Sequence, residues 1–226
     1  MIETFKRMEK KYLLDSNQYK ELFNKMKSHL KEDQYFKSNI SNLYFDNDDY
    51  HIINKSIDKS IYKEKVRLRS YYPPKDEDKV FLEIKKKYNS ISNKRRIAIS
   101  LKEFNDYFYK DIKPNCNPQI LKELDYAIKR NNLKPKVLLA YDRLSYYDKD
   151  NKSFRITFDK NLRYRTDNLD LACGSKGDNY FDDDKCIMEL KTLDSFPIWL
   201  TKLLSELKIY PISFSKYGNI YKDYIY

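Results

Sequence analysis

Charged and apolar residues alternate in five short stretches of the chain. They are Arg7–Lys11 (RMEKK), Val66–Arg69 (VRLR), Phe81–Lys85 (FLEIK), Phe154–Asp159 (FRITFD) and Ile187–Lys191 (IMELK). Because successive side chains of a β-strand point to opposite faces, each stretch predicts a strand with one charged face and, in most of them, one apolar face. The pattern leaves open whether the charged faces meet water or a ligand.

The rest of the chain predicts further strands and several amphipathic helices. Strands are expected over 39–46, 93–100, 136–147 and 153–159, with a short continuation over 163–165. Helices are expected from a Ser16 cap, from about 48 to 57, from Leu101 to about Tyr109 behind a Ser100 cap, from Pro118 to about Lys129 behind Asn117, and from Ser195 and Pro197. The polar segment 167–185 is predicted to be a loop.

Hairpins, rather than strict alternation of strands and helices, connect these elements. The clearest hairpin joins 65–72 to 79–87 through the turn YYPPKDED. About eight strands and four or five helices in this order favour an α+β fold in which helices pack on an antiparallel sheet or barrel. We expect one domain over residues 1–226.

A solvated face is the simplest interpretation of any one charged strand. Several such strands together favour a ligand-binding face over a solvated one. Helices can cover only their apolar faces, and the charged faces then share one surface. In a closed sheet of about eight strands, that surface is the lumen. Lysines and arginines confined there would repel by roughly 4 kcal/mol per pair at about 4 Å. A basic lumen therefore predicts a polyanionic ligand.

Composition narrows the function classes. A net charge of +11 predicts an acidic partner, which could be nucleic acid, a membrane surface or a polyanionic small molecule, although the Lys, Asn, Ile and Tyr excess is also typical of AT-rich genomes. The odd set of Cys116, Cys173 and Cys186 has no CxxC spacing, which argues against a disulfide framework and a zinc site. No apolar run would span a bilayer, and no signal peptide is visible. We expect a cytoplasmic protein that meets a membrane only peripherally, through a partner.

Nine pieces of the chain resemble one known family. In order, they are MEKKYLL, NLYFD, VRLRSY, VFLEIKKK, NKRRIAI, LLAYDRLSY, FRITFDKNLRYR, IMELKT and FSKYGNIY. Together they resemble the VTC (vacuolar transporter chaperone) catalytic domain of polyphosphate polymerases, within the triphosphate tunnel metalloenzyme superfamily. Each piece alone is weak, but the combination spans nearly the whole chain.

The resemblance implies a closed antiparallel β-barrel of about eight strands, with helices outside it. It also implies an ATP-dependent, metal-dependent polyphosphate polymerase that transfers the γ-phosphoryl group of ATP to a growing polyphosphate chain. Mn²⁺ or Mg²⁺ is the implied cofactor, and ATP and polyphosphate are the implied partners.

By motif position, the resemblance also assigns site residues. The implied catalytic residues are Arg67, Arg69, Lys85, Arg143 and Arg155. The implied phosphate-binding residues are Lys11, Lys94, Arg96, Tyr141, Ser215 and Lys216. Glu189 is the implied metal ligand, with Glu9 and Glu83 as candidate helpers.

Two departures from the family qualify what can be carried over. We find neither the SPX domain nor the transmembrane segments of eukaryotic members, so regulation by inositol pyrophosphates and translocation of product are not implied. Arg7 stands where the superfamily has the first glutamate of its ExExK opening, which favours the VTC branch over the CYTH hydrolases. A triphosphatase or polyphosphatase of the same fold, and a noncatalytic polyanion-binding module, stay open as alternatives. No nucleic acid is expected as a partner, and the oligomeric state and any membrane-protein partner are left open.

Overall fold

The computed structural model describes residues 8–89, 91–181 and 184–226, so Arg7, the first residue of the first predicted strand, lies outside the described residues. The strands are β1 (Met8–Leu14), β2 (Leu30–Asp46), β3 (Tyr62–Ser70), β4 (Lys79–Tyr88), β5 (Ile91–Ser100), β6 (Lys134–Asp148), β7 (Arg155–Arg165), β8 (Asp178–Asn179) and β9 (Cys186–Thr192). The α-helices are α1 (Ser16–Met26), α2 (His51–Ile57), α3 (Leu101–Lys110), α4 (Pro118–Arg130), α5 (Ile198–Glu206) and α6 (Lys216–Ile220). Short 3₁₀ turns cover Lys27–His29 and Leu171–Cys173, and a π-helical turn covers Tyr221–Ile225.

The strands form an antiparallel sheet, which confirms the predicted α+β class. Their order is β1-β9-β7-β6-β2-β3-β4-β5, with β8 paired to β7. The pairs β1/β9, β7/β9, β2/β3, β3/β4 and β4/β5 are all antiparallel. The sheet is not the hydrogen-bonded closed barrel of the prediction: β1 and β5 end the order, and no ladder joins them within the described residues.

Two compact units make up the chain, and each is assembled from separate stretches. Unit 1 comprises residues 1–39, 141–162 and 179–214, and unit 2 comprises 40–140, 163–178 and 215–226. Each unit has its own hydrophobic core, in which helices cover the apolar face of strands.

The core of unit 1 confirms the prediction for β7 and β9. Ile156 and Phe158 of β7 and Met188 and Leu190 of β9 are fully buried against residues of α1 and α5, which include Leu22, Met26, Leu200 and Leu203. Met8, which alternation in RMEKK predicted to lie on the apolar face of its strand, is the first residue of β1 and is 40% exposed.

The core of unit 2 buries the predicted apolar face of the central hairpin. Val66 and Leu68 of β3 and Leu82 and Ile84 of β4 pack with residues of α3 and α4. Since side chains alternate along a strand, Arg67 and Arg69 of β3 and Glu83 and Lys85 of β4 lie on the face turned away from these helices, whereas Glu64 and Lys86 lie on the helix side and bind Arg130 and Glu123 of α4. The sequence argument about two-faced strands therefore holds in each unit.

Most predicted helix starts are confirmed, and one is wrong. Ser100 caps α3 in a capping box with Glu103, and the Asn117 side chain accepts from the backbone of 119 and 120 ahead of Pro118. The cap of α1 is Asp15 rather than Ser16, because the Asp15 carboxylate accepts from Gln18 N and the Gln18 side chain accepts from Asp15 N. In the described residues, no helix combines the length and hydropathy that crossing a bilayer requires.

The predicted loop 167–185, of which residues 182 and 183 lie outside the described residues, contains the 3₁₀ turn Leu171–Cys173 and strand β8. Arg165, at the end of β7, is buried and donates to four backbone carbonyls of the segment that follows it, those of residues 168, 170, 174 and 176. A Cβ on Gly177 would collide with the carbonyl of Tyr164, so glycine is required for this close approach. One arginine thus holds the segment in place.

Candidate functional site

Unit 2 holds a cluster of basic residues around one buried carboxylate, here called the Glu83 cluster. The Glu83 side chain is 1% exposed, and three cations surround it: Arg67 Nε at 2.7 Å, Lys94 Nζ at 2.7 Å and Arg69 Nε at 3.8 Å. Lys65 and Lys85 complete the cluster by register. Of its basic members, Arg67, Arg69, Lys85 and Lys94 are residues that the sequence predicted for the site, and Lys65 is not.

Strand register brings these residues to one face. Glu83 of β4 lies opposite Arg67 of β3 and Arg96 of β5, and Lys85 lies opposite Lys65 and Lys94. Directly opposed residues of an antiparallel sheet point to the same side. The predicted direction of the NKRR segment is confirmed as well, because Arg95 points away from this face and binds Glu123 of α4 at 2.6 Å.

The charges of the Glu83 cluster shift two pKa values in it. Burial alone would raise the pKa of Glu83, but Arg67, Arg69 and Lys94 overcome it and lower the pKa to about 2. Desolvation, with Arg67 and Arg69 adding to it and Glu83 opposing it, lowers the pKa of Lys94 to about 8. Glu83 therefore stays ionised, and the cluster carries a surplus of positive charge.

Two residues of β2 hold the arginines in place. The Asn42 side-chain oxygen accepts from Arg69 Nε at 2.9 Å, and the Tyr44 hydroxyl accepts from Arg67 Nη1 at 3.0 Å. Register explains both contacts, since Asn42 lies opposite Arg69 and Tyr44 opposite Arg67. Burial raises the pKa of Tyr44, but Arg67 and Lys65 outweigh it and lower the pKa to about 8.

The remaining predicted site residues of unit 2 are Arg96, Ser215 and Lys216, and each has different contacts. Arg96 stacks its guanidinium over the Phe81 ring at 4.6 Å. Ser215 caps α6 by accepting from Gly218 N, and its hydroxyl also accepts from Lys65 Nζ at 3.4 Å. Lys216 is the first residue of α6. Ser215 thereby links the start of α6 to the basic face.

Unit 1 holds a second cluster with a different balance of charge, here called the Glu189 cluster. Its members are Glu9 and Lys11 of β1, Arg143 of β6, Asp159 of β7, and Glu189 and Lys191 of β9. Lys191 Nζ lies 3.2 Å from Glu189 and 3.9 Å from Glu9. Three carboxylates and three cations therefore share this face.

The carboxyl groups of Glu9 and Glu189 affect each other's pKa. Desolvation, the hydrogen bond to Glu189 and repulsion from it raise the pKa of Glu9. Desolvation opposes ionisation of Glu189 too, but Lys191, the hydrogen bond from Glu9, Lys11 and Arg143 hold its pKa well below the usual range. Two neighbouring carboxyls offer the hard oxygen donors that Mg²⁺ and Mn²⁺ accept, usually together with phosphate oxygens.

These two carboxyls would need further ligands to hold a metal. Among the residues that the structure describes, no three His, Cys, Asp or Glu side chains converge as a metal site. The pair thus fits a cation bound through one or two carboxylates and completed by substrate, which is the usual arrangement for Mg²⁺.

The other predicted residues of unit 1 are not equally close to this pair. Arg143 binds Asp159 through Nε and Nη2 at 2.6 and 2.7 Å, lies 3.7 Å from Glu189, and stacks on Tyr141. Lys11 donates to the carbonyl of Phe214 at 2.9 Å and lies 3.7 Å from Glu9. Arg155 lies opposite Lys191 in register, but its guanidinium approaches Asp33 at 3.8 Å and is largely exposed.

Sequence reasoning missed Asn42, Tyr44, Lys65 and Lys191 as members of the two clusters. A signal was available for each of them. Asn42 and Tyr44 alternate with apolar residues in NLYFD, Lys65 precedes VRLR by the same spacing of two, and Lys191 follows Glu189 by two. Lys191 already ends the alternating stretch IMELK, and extending the VRLR pattern by one period towards the N-terminus would have found Lys65.

Three comparisons place this chain among known proteins. A Bacillus halodurans protein described provisionally as an adenylate cyclase matches the fold with a TM-score of 0.59 and 14% identity, over 96% of this chain and 97% of that one. A Hippeastrum protein, described provisionally as an adenylyl cyclase with a dominant triphosphatase activity, matches with a TM-score of 0.49 and 13% identity, over 96% and 95%. At such identities, the first likeness shows the fold alone.

Sequence comparison gives the family. No curated protein matches the chain. The model of the VTC domain, however, matches residues 6–224 and so includes every member of the Glu83 and Glu189 clusters. With nearly the whole chain matched and an antiparallel α+β fold in agreement, this protein belongs to the VTC domain family.

Proposed function

We propose that this protein is a polyphosphate polymerase, which transfers the γ-phosphoryl group of ATP to a growing polyphosphate chain. The observation that carries the proposal is the charge surplus of the Glu83 cluster, where five basic side chains share a face with one carboxylate. Membership of the VTC family favours the polymerase over a hydrolase. We expect ATP and polyphosphate, rather than nucleic acid, as partners, and a cytoplasmic location where ATP is supplied.

The basic residues bind the phosphates in this proposal. In unit 2, Arg67 and Arg69 offer planar guanidinium groups suited to bidentate phosphate contacts, Lys85 adds positive charge, and Lys94 and Lys216, with Arg96 and Ser215, guide the acceptor chain. In unit 1, Arg143 and Arg155 are the proposed phosphate-binding arginines, and Lys11, with Tyr141, is the residue proposed for the acceptor chain. Glu83 acts by orienting Arg67, Arg69 and Lys94, because all three already surround it.

Glu189 and Glu9 would hold the divalent metal, Mn²⁺ or Mg²⁺. Glu189 disfavours ionisation of Glu9, which a bound cation would relieve, whereas Glu83 is already compensated by three basic groups. When bound, the metal supplies positive charge to the phosphate oxygens. Lys191 and Lys11 then offset the remaining charge of the carboxyl pair.

The reaction asks for positioning rather than covalent chemistry from the protein. A terminal oxygen of the acceptor chain bonds to the γ-phosphorus, while the bond from that phosphorus to the bridging oxygen breaks and ADP leaves with the electron pair. The attacking oxygen is already an anion, so no general base is required. Arginine and lysine side chains stabilise the charge on the transferring oxygens.

Product analysis tests the proposal directly. The purified chain is incubated with ATP and Mn²⁺, and long polyphosphate, ADP and orthophosphate are measured. Long polymer with matching ADP supports the polymerase. Orthophosphate without polymer would instead identify a triphosphatase, and tight polyphosphate binding without turnover would identify a binding module.

A substitution tests the metal assignment. Glu189→Gln keeps the shape of the side chain but removes its charge, so we expect about a hundredfold lower activity at limiting Mn²⁺, with part of the loss recovered at high Mn²⁺. Glu206→Gln, at an exposed position of α5, is the matched control and should retain full activity. A Glu189→Gln variant with the Mn²⁺ dependence of the parent protein would refute the assignment.

A further inference from the structure

Four large apolar side chains are exposed together at one end of strands β3, β4 and β5. Ile61 is 71% exposed, Tyr88 63%, Ile91 67% and Tyr62 38%. Register groups them, because Tyr62 lies opposite Tyr88 and Tyr88 opposite Ile91. Asn89 N donates to the carbonyl of Ile61 at 3.1 Å, which adds Ile61 to the group. We call these four residues the strand-end patch.

Neither the core nor the proposed reaction accounts for this patch. None of its members belongs to the hydrophobic cluster of unit 2, although their strands contribute Val66, Leu68, Leu82 and Ile84 to it. None is a predicted site residue. Grouped exposed apolar side chains, unlike scattered ones, commonly mark an interaction surface.

Two lysines lie next to the strand-end patch on the other face of the same strands, and one of them, Lys63, donates through Nζ to the carbonyl of Ser56 at 3.0 Å. Lys63 and Lys87 are opposed in register, one residue from Tyr62 and Tyr88. Desolvation followed by repulsion from Lys87 and Lys59 lowers the pKa of Lys63, so these three ammonium groups lie close enough to interact. The nearby acidic residue Asp58 opposes this shift only in part.

Other acidic side chains at this end are already compensated. Glu64 is buried and binds Arg130 at 2.6 Å and Asn131 at 2.9 Å. Glu123 binds Arg95 and Lys86. The charge around the strand-end patch is therefore positive.

We propose that the strand-end patch docks this protein onto an anionic phospholipid surface. Tyrosine rings and isoleucine side chains enter the boundary between headgroups and acyl chains, while lysines beside them remain among the anionic headgroups. Lys63 and Lys87, on the other face of the same strands, together with Lys59, supply that charge here, so the contact is made by the ends of β3, β4 and β5 and not by one face of the sheet. A free polyanion would bind the lysines but would leave the exposure of Ile61 and Ile91 unexplained.

Vesicle binding tests the proposal with the full chain. Co-sedimentation is measured with vesicles of phosphatidylcholine alone and of phosphatidylcholine mixed with phosphatidylglycerol. We expect binding to the anionic vesicles that weakens with added salt, and little binding to the neutral ones. Equal binding to both kinds of vesicle, or binding to neither, would overturn the proposal.

Two variants separate the apolar and basic contributions. Ile61→Ser combined with Tyr88→Ser and Ile91→Ser should lower the vesicle partition coefficient by about tenfold or more. Lys63→Gln combined with Lys87→Gln should lower it by about fivefold per lysine. Tyr62 is kept in both, because its hydroxyl donates to Glu64.

A matched control variant removes exposed apolar side chains elsewhere. Tyr109→Ser combined with Ile112→Ser changes two residues that are 65% and 57% exposed but lie away from these strand ends in sequence. It should bind vesicles within about twofold of the parent protein. Circular dichroism and thermal unfolding of every variant establish that it has folded.

A spectroscopic variant measures insertion independently of affinity. Tyr88→Trp should show a blue-shifted tryptophan emission with anionic vesicles, whereas Tyr109→Trp should not. If the apolar variant binds like the parent protein while only the lysine variant loses affinity for soluble polyphosphate, the surface serves a polyanion and the proposal is wrong. A change in oligomeric state of the apolar variant, without a change in vesicle binding, would likewise refute it in favour of self-association.

Discussion

The Glu83 and Glu189 clusters arise from the same alternating pattern but reach opposite electrostatic balances. Around Glu83, three basic groups compensate one buried carboxylate, and further lysines share the face. Around Glu189, three carboxylates meet three cations, and two of the carboxyls are adjacent. The first balance favours an anion as ligand, and the second favours a cation.

The difference is visible in how the carboxyl groups titrate. The pKa of Glu83 falls to about 2 because all of its charged neighbours are basic. The pKa of Glu9 rises because desolvation and its neighbour Glu189 both disfavour a second negative charge. Counting acidic and basic residues along the strands does not separate the two situations, whereas cross-strand neighbours do.

The largest expected effect concerns stability at Glu83. Glu83→Gln leaves the surrounding cations without their buried counter-charge, so we expect a loss of about 3 kcal/mol in the free energy of unfolding. Chemical denaturation at neutral pH measures it. Glu77→Gln, at an exposed position, is the control, and a loss below about 0.5 kcal/mol in Glu83→Gln would contradict the role given to this carboxylate.

The pH dependence of that stability follows from the same pKa. Because the pKa of Glu83 in the folded state lies below its ordinary value of 4.5, the stabilisation is present above about pH 4.5 and is lost as the pH falls towards 2. The free energy of unfolding, measured by denaturation at several pH values in this range, should therefore depend less on pH in Glu83→Gln than in the parent protein. Parallel curves would show that another group dominates acid unfolding.

The second largest effect is expected in tripolyphosphate binding, which should distinguish arginines on opposite faces of the sheet. Arg67→Lys keeps the charge but removes the planar fork, so we expect about tenfold weaker binding of tripolyphosphate by calorimetry. Arg95→Lys is the matched control, because Arg95 lies on the other face and binds Glu123. Equal losses in both variants would mean that the binding is nonspecific electrostatic attraction.

Local chemistry made much of the fold predictable from the sequence. Ser100 and the Asn117-Pro118 pair mark helix starts through their own side chains and ring, and the opposite directions of Arg95 and Arg96 follow from the period of a strand. Asp15 was missed because Ser16 next to it is an equally good capping residue. Each successful prediction needed only a few neighbouring residues.

The clusters depended on information that is not local. Lys11 lies opposite Glu189 although 178 positions separate them, and Asn42 meets Arg69 only through the register of β2 and β3. The alternating pattern predicts which face a residue occupies but not which residue it opposes. The sequence therefore indicated charged faces, and the partners of Glu83, Tyr44 and Lys191 required the structure.

A smaller effect is expected from the titration of Lys94 in the Glu83 cluster. Because its pKa is lowered to about 8, Lys94 loses its proton as the pH rises through that value, and tripolyphosphate binding should weaken by about threefold between about pH 7 and 9. Lys94→Arg stays protonated over this range, so the affinity ratio of parent protein to variant isolates this one group from titration of the ligand. A ratio that does not change with pH would show that Lys94 remains protonated throughout.

The smallest expected effect concerns Tyr44, which touches Arg67 but not, in our proposal, the substrate. Tyr44→Phe removes the acceptor of Arg67 Nη1 and keeps the ring stacked on Tyr217, so we expect a stability loss of about 0.5 kcal/mol near pH 7. Since the folded-state pKa of Tyr44 is lowered from 10 to about 8, the parent protein should gain stability over the variant as the pH rises from 8 to 10. Tyrosinate absorbance should show an early phase near pH 8 that Tyr44→Phe lacks. Tyr62→Phe is the control, because a pKa raised to about 12 places Tyr62 outside that phase. An early phase that survives in Tyr44→Phe would assign it to another tyrosine and remove the evidence that Arg67 polarises this hydroxyl.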